Sequence, residues 1–132
     1  MEISRLEELL GAFPSRRILV VEDNADVALS FSFLLEAMGH QVRVAHDGPA
    51  ALQMAPEFLP DLAFLDIGLP GMDGYELASR LRLDPRFGKL KLIALSGYAA
   101  EEDRQRSRQA GFDEHLAKPA YIEDIEAVLA RL

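Results

Sequence analysis

The sequence lacks cysteine altogether, and no apolar run approaches the roughly 20 residues needed to cross a bilayer. The absence of cysteine excludes disulfides, thiolate metal sites and a thiol nucleophile. Basic side chains are in the minority, with 14 lysines and arginines against 22 acidic residues and a net charge of −8. Such a charge argues against direct binding of nucleic acid, which needs a basic patch. We therefore expect a cytoplasmic protein that binds neither a membrane nor nucleic acid.

The first residues form a segment of their own. Apolar residues fall at helical spacing and predict a short amphipathic helix over 2–12, ended by Pro14 and Ser15; they are Ile3, Leu6, Leu9, Leu10 and Phe13. We expect residues 1–15 to be an N-terminal helix or linker, and residues 16–132 to be one domain. The apolar stripe packs on the domain or on a second copy, or the segment is a linker from a longer protein; the sequence leaves these three open.

From residue 16 onward, apolar runs alternate with amphipathic stretches. The runs predict five strands, at 16–22, 40–46, 61–66, 90–96 and 113–118. A helical pattern follows each strand. Five strands that alternate with five helices are typical of an α/β domain with a parallel sheet, and short connections favour right-handed crossovers.

Polar residues follow the predicted strands at their carboxyl ends, where open α/β sheets bind ligands. They are Glu22 and Asp23, His46 and Asp47, Asp66, Ser96, and Lys118 with Pro119. Carboxylates that share one crevice repel one another unless a cation neutralises them, and Mg²⁺ suits a site of carboxylates, water and phosphate. With a lysine beside it, such a site predicts phosphoryl transfer, in which an aspartate can be the nucleophile.

Each of these residues, taken alone, also has a purely structural explanation. Asp23 or Asn24 can cap the next helix, Ser96 can cap another, and a lysine before a proline is usually a solvated loop residue. Asp66 is the hardest to explain in this way, because it interrupts the apolar stretch 62–67 and a buried carboxylate without a partner is costly. The joint occurrence of all these residues at strand ends favours the functional interpretation.

Four motifs occur in order along the chain: VVEDN (20–24), LDIGLPGMDG (65–74), LSGY (95–98) and HLAKP (115–119). On these motifs, residues 16–132 resemble the receiver domains of two-component response regulators, in particular those of hybrid histidine kinases and of single-domain regulators. The spacings from Asp23 to Asp66, Ser96 and Lys118 also match the family, at 43, 30 and 22 residues in turn. The resemblance implies a (βα)5 doubly wound, flavodoxin-like three-layer sandwich with a parallel sheet of order 2-1-3-4-5. The N-terminal helix is an addition to that fold.

The resemblance also implies roles for single residues. Asp66 accepts a phosphoryl group from a histidine kinase or a phosphotransfer protein. Ser96 and Lys118 contact that group, and the peptide bond before Pro119 is cis. Such a protein is a switch rather than an enzyme, since it reacts only at its own aspartate and then changes how it binds an unidentified partner.

A metal site follows from the same resemblance. It holds Mg²⁺, or Mn²⁺ in its place, through the side chains of Glu22, Asp23 and Asp66 and the backbone carbonyl of Gly68. Receivers also commonly dimerise through the fourth helix, fifth strand and fifth helix, and the N-terminal helix is a second candidate for a dimer contact.

One position departs from the family pattern. His115 occupies the place, three residues before the lysine, where many receivers carry a tyrosine or phenylalanine that swings inward on activation. A histidine can rotate similarly and titrates near neutral pH, or it can be a strand residue with no switching role. Tyr98 lies two residues after Ser96, and either shields an acyl phosphate or packs on the following helix.

Three other functions compete with the phosphoacceptor switch. A flavin or nucleotide module needs a glycine-rich phosphate loop after the first strand, where this chain has Glu22, Asp23 and Asn24. An aspartate phosphatase typically has a second aspartate two residues after the first, where this chain has Gly68. A receiver-like domain that is never phosphorylated has no need of this set of strand-end residues.

Overall fold

A computed structural model describes residues 15–97 and 101–132, with only the backbone described for 101–103. It contains five strands: β1 (Arg17–Val21), β2 (Gln41–Ala45), β3 (Leu62–Asp66), β4 (Lys91–Ser96) and β5 (Glu114–Ala117). All five predicted strands are confirmed. Each observed strand end lies within one residue of the predicted end. The helix predicted for 2–12, and Tyr98, lie outside the described residues, and the domain boundary at residue 16 stays a prediction.

The strands form one parallel sheet in the order β2-β1-β3-β4-β5. This order confirms the doubly wound topology that the resemblance implied. β3 pairs with β1 on one side and β4 on the other, and all its residues from Leu62 to Asp66 are buried. Because all strands run the same way, the residues that follow them meet at the carboxyl edge.

Helices connect and follow the strands. They are α1 (Ala25–Ala37), α2 (Gly48–Phe58), α3 (Gly74–Leu83), α4 (Glu101–Ala110) and α5 (Ile122–Arg131), with a 3-10 turn at Pro85–Phe87. Side-chain oxygens of Asn24, Asp47 and Asp73 accept hydrogen bonds from the backbone N–H groups that open α1, α2 and α3. These bonds satisfy donors that lack a partner within the helix, and so fix where each helix begins.

The core has two apolar layers, one on each face of the sheet. Alternation along β3 sends Ala63 and Leu65 into the layer beneath α2 and α3, and Leu62 and Phe64 into the layer beneath α1 and α5. In the second layer the rings of Phe31 and Phe64 meet edge to face, with 4.9 Å between their centroids. These layers fix the central strand, and with it Asp66, rigidly at the sheet edge.

Some apolar side chains that mark the predicted helices face outward. Leu83 is in α3 as expected, but it is 83% exposed and not part of the core. On α1, Val27, Leu29 and Phe33 are exposed as well. In the described part of the chain, every helix falls short of the length and apolar character that a membrane span requires.

Candidate functional site

Three carboxylates meet at the carboxyl edge of the sheet. Asp66 is the last residue of β3, and Glu22 and Asp23 directly follow the neighbouring β1. Each offers an oxygen, and these oxygens all lie within 4.8 Å of one another. Glu22 and Asp66 are buried while Asp23 is exposed, so the cluster opens to solvent on the Asp23 side.

Lys118 supplies the positive charge of the cluster. It follows β5, and its Nζ lies 2.6 Å from Glu22 Oε1 and 3.0 Å from Asp66 Oδ2. Its backbone N–H donates to the carbonyl of Ser96 over 2.8 Å, which ties the ends of β4 and β5 together. The Lys118–Pro119 peptide bond is cis, as the resemblance implied. The ammonium group therefore bridges two of the three carboxylates.

The loop after β3 turns tightly around Asp66. The Gly68 N–H donates to Asp66 Oδ1 over 3.0 Å, and the Gly74 N–H donates to the carbonyl of Ile67 over 3.0 Å. A Cβ at Gly74 would lie 2.5 Å from the Asp66 carbonyl oxygen, so only glycine allows α3 to begin this close to the strand. Gly71 has a φ of +74°, which also favours glycine.

Burial and mutual charge shape the acidity of the cluster. Burial raises the pKa of Glu22, and Asp66 and Asp23 add to this effect against the opposing Lys118. Burial also raises the pKa of Asp66, but its interaction with the neighbouring Glu22 carboxyl group and the hydrogen bonds from the Gly68 N–H and from Lys118 outweigh this effect, so the pKa of Asp66 is lowered.

Lys118 remains cationic in this setting. Burial lowers the pKa of its ammonium group, but the carboxylates of Glu22 and Asp66 reverse that effect and raise the pKa above its ordinary value. The site thus holds one fixed cation beside three carboxyl groups. Hard oxygen donors with an excess of negative charge fit a divalent ion such as Mg²⁺.

Residues 18–130 match the family described as response regulator receiver domain. The chain belongs to this family. The receiver is a phosphoacceptor switch of two-component signalling rather than a classical enzyme, and histidine kinases or phosphotransfer proteins phosphorylate such domains. Its fold is the CheY-like, flavodoxin-like arrangement that the sheet order shows. This membership removes the support for a nucleotide module or an aspartate phosphatase.

Relatives of this receiver include short and long proteins. An uncharacterized 14.6 kDa protein of Leptolyngbya boryana is 43% identical over 102 residues, which cover 77% of this chain and 78% of that protein. The polar-differentiation response regulator DivK of Brucella anthropi is 33% identical over 118 residues, which cover 86% of this chain and 96% of that protein. Other relatives are longer proteins. The matched region covers 47% of the length of one of them and 13% of the length of another.

A solved structure of a similar receiver domain contains magnesium. The receiver domain of the sensor histidine kinase PA1611 from Pseudomonas aeruginosa has a TM-score of 0.80 at 30% identity, covering 89% of this chain and 97% of that one. That structure has a magnesium ion coordinated in its active site cleft. Receiver domains bind Mg²⁺ at an acidic site, and the cluster of Glu22, Asp23 and Asp66 is acidic in the same way.

Not every strand-end residue joins the cluster of this receiver. His46 contacts the backbone of Glu22, with 3.0 Å between Nδ1 and the carbonyl oxygen, and Asp47 caps α2 through the Ala50 N–H. His115 lies on β5 with its Nδ1 3.5 Å from Ser107 Oγ of α4. Its proposed switching role therefore stays a prediction.

Two features of the site go beyond what the sequence specified: which of two candidate residues caps α1, and one contact that was not predicted. Asn24, and not Asp23, caps α1 by accepting from the N–H groups of Asp26 and Val27 over 3.0 and 3.1 Å, which leaves the Asp23 carboxylate exposed at the cluster. The second feature is the contact between Lys118 and Glu22. The cap could be predicted, because an asparagine directly before a helical pattern is a common N-cap residue. The ion pair has no such local signal, because it joins strand ends that are distant in the chain.

Proposed function

We propose that Asp66 is the residue of this receiver that accepts the phosphoryl group. The observation that carries the proposal is the 3.0 Å contact between Lys118 Nζ and the carboxylate of Asp66, in a cluster that is open to solvent. The pKa of Asp66 is lowered by its hydrogen bonds, so the carboxylate is ionised and nucleophilic at neutral pH.

The proposed step transfers a phosphoryl group from a phosphohistidine of a histidine kinase or phosphotransfer protein. An Asp66 oxygen forms a bond to phosphorus while the bond from phosphorus to the histidine nitrogen breaks, and the imidazole keeps that electron pair. Water later attacks the acyl phosphate and releases inorganic phosphate. We expect transfer and hydrolysis only at Asp66, with no turnover of an external phosphomonoester.

We further propose that the acidic cluster holds Mg²⁺, or Mn²⁺ in its place. The residues that would hold it are Glu22, Asp23, Asp66 and the Gly68 backbone carbonyl. The ion, when bound, neutralises charge on the transferring oxygens. Lys118 supplies a second positive charge on the same side, and the Gly68 N–H keeps the Asp66 carboxylate oriented.

Phosphorylation then biases the surface formed by α4, β5 and α5. Ser96, buried at the end of β4, donates a hydrogen bond from its hydroxyl to one phosphoryl oxygen. Lys118 leaves one of its carboxylate partners and contacts a second phosphoryl oxygen. His115 is the candidate that transmits the change toward α4 through Ser107. The output is altered partner binding. One such partner is a second copy of the chain, bound through α4, β5 and α5, and size-exclusion chromatography with beryllofluoride would detect that dimer.

Incubation with acetyl phosphate and Mg²⁺, followed by intact-mass measurement, tests the assignment. The unmodified chain should gain one phosphoryl group, and Asp66→Asn should gain none. Asp61→Asn is the matched control, because Asp61 lies just before β3 at the opposite edge of the sheet and should leave the reaction unchanged. Equal labelling of Asp66→Asn and the unmodified chain would overturn the proposal and assign the phosphoryl group to another residue. No labelling of either protein would also overturn it and would favour a receiver-like domain that is never phosphorylated.

A further inference from the structure

An apolar stripe runs along the outer face of α1. Leu29, Phe33 and Ala37 are spaced by four residues, so they lie on successive turns of one helix face. Leu29 is 53% exposed and Phe33 is 61% exposed, and Ala37 is exposed at the last turn. The described residues therefore leave this stripe uncovered, although two large apolar side chains lie on it.

The chain enters the domain beside the end of this stripe. The Arg16 N–H donates to His40 Nδ1 over 3.1 Å, and the Arg16 carbonyl accepts from the Gln41 N–H over 2.9 Å. His40 follows the C-terminus of α1 by three residues, and its N–H donates to the carbonyl of Leu35. Arg16, near the start of the described residues, therefore lies at the C-terminal end of α1.

The preceding segment has the length and the pattern to cover the stripe. A helix over residues 2–12 would be about 16 Å long, against about 20 Å for the 13-residue α1. Four of its apolar residues follow one another at steps of three or four positions, namely Ile3, Leu6, Leu10 and Phe13. A chain that turns back at Pro14 and Ser15 would run antiparallel to β1, and so parallel to α1, and would place Leu6 and Leu10 near the stripe.

We propose that residues 2–12 dock as an amphipathic helix on the stripe formed by Leu29, Phe33 and Ala37 of the same chain. Both faces are apolar and would otherwise remain in water, so their contact buries surface on both partners. The connection through Arg16 keeps the segment at high effective concentration, which favours its own domain over a second copy. Of the three alternatives that the sequence left open for the segment, the proposal chooses packing on its own domain.

A tryptophan reporter tests the docking in the full chain. The sequence has no tryptophan, so Phe33→Trp places a single indole on the stripe, and Leu83→Trp places one on an α3 position that is 83% exposed. We expect Phe33→Trp to emit at shorter wavelength and to be quenched by acrylamide at least about twofold less than Leu83→Trp, because docking shields the ring from water. Leu29→Trp is a second reporter if the first perturbs folding.

Changes in the segment identify the occupant. Leu6→Ser with Leu10→Ser should restore strong quenching of the Phe33→Trp reporter, whereas the matched pair Glu7→Ser with Glu8→Ser should leave it protected. Protection that disappears on dilution, together with a dimer in size-exclusion chromatography, would instead assign a second copy and overturn the proposal. If the Phe33→Trp reporter is quenched as strongly as that of Leu83→Trp, the proposal is overturned too. That result would indicate that another protein covers the stripe. The test needs neither metal nor phosphodonor, so its outcome is independent of the function proposed above.

Discussion

Lys118 and Glu22 form an ion pair of 2.6 Å although 96 residues separate them in the chain. The same ammonium group lies 3.0 Å from Asp66. Glu22 and Asp66 are buried, and an unpaired buried carboxylate is strongly disfavoured. Lys118 therefore stabilises the arrangement of carboxylates on which the proposed phosphoacceptor depends.

Replacement of this lysine should destabilise the metal-free protein. Because Lys118 is itself partly exposed, we expect Lys118→Met to lower the free energy of unfolding by about 1–3 kcal/mol. Saturating Mg²⁺ should recover more stability in the variant than in the unmodified protein, since it replaces the missing charge. Urea unfolding with and without Mg²⁺ measures both effects. Lys91→Met, at the exposed start of β4, is the control, and an equal loss in both variants would contradict the prediction.

Asp23 should affect metal binding and stability in opposite directions. Its carboxylate is exposed and close to two buried ones, so Asp23→Asn relieves like-charge repulsion and should raise the stability of the metal-free protein slightly. The same change removes a proposed ligand and should weaken Mg²⁺ binding about tenfold or more. The Mg²⁺ dependence of urea unfolding gives both values. Asp26→Asn, which alters an exposed carboxylate in the first turn of α1, should leave the affinity unchanged; similar losses in the two variants would count against the ligand assignment.

Much of this fold follows from local patterns in the sequence. β3 could be predicted because apolar residues fill every position before Asp66, and α2 because Asp47 and Pro49 mark its start. The strand order could not be derived from periodicity, since any of the buried strands can be central, and it came from the family motifs instead. The acidic cluster was predicted because parallel strands bring their carboxyl ends together.

Other features depend on tertiary contacts that no local pattern specifies. The pairing of Lys118 with Glu22 requires the loop after β5 to meet the loop after β1. The exposure of Leu29 and Phe33 could not be predicted either. Apolar residues occur around much of α1, and periodicity alone does not show which of them face the sheet.

The glycine that opens α3 should be sensitive to a single methyl group. A Cβ at Gly74 would lie 2.5 Å from the Asp66 carbonyl oxygen and 2.7 Å from Ile67 Cα, both of them backbone atoms. Gly74→Ala must therefore shift the loop under Asp66, and we expect a loss of about 1–3 kcal/mol in the free energy of unfolding. It should also slow phosphorylation by acetyl phosphate, because the Asp66 carboxylate moves with its backbone.

Gly88→Ala is the matched control for that substitution. Gly88 has a helical φ of −62°, and the nearest atom to its added Cβ is 3.7 Å away. Alanine at this position should be neutral or stabilising by about 0.4–1 kcal/mol, because it restricts the unfolded chain. Thermal unfolding of both variants measures the difference, and a Gly74→Ala protein as stable as Gly88→Ala would contradict the close approach.

The buried His40 should make stability depend on pH. It is 5% exposed, and among the described residues its Nε2 has no hydrogen-bond partner. Burial lowers the pKa of His40 below its ordinary value of 6.5, and the charge of Arg16 lowers it further. Folding therefore favours the neutral imidazole, whose Nδ1 accepts from the Arg16 N–H.

The sign of this effect follows from proton binding in the two states. As the pH falls below about 6.5, the unfolded chain binds a proton that folded His40 does not, so stability decreases until the pH reaches the lowered pKa of the folded state. His40→Asn keeps a side-chain oxygen for the Arg16 N–H but does not titrate. Urea unfolding between about pH 7.5 and pH 5 should show the unmodified protein losing stability relative to the variant, by at most about 1.4 kcal/mol per pH unit. Parallel curves for the two proteins would show that His40 is protonated equally well in the folded and unfolded states.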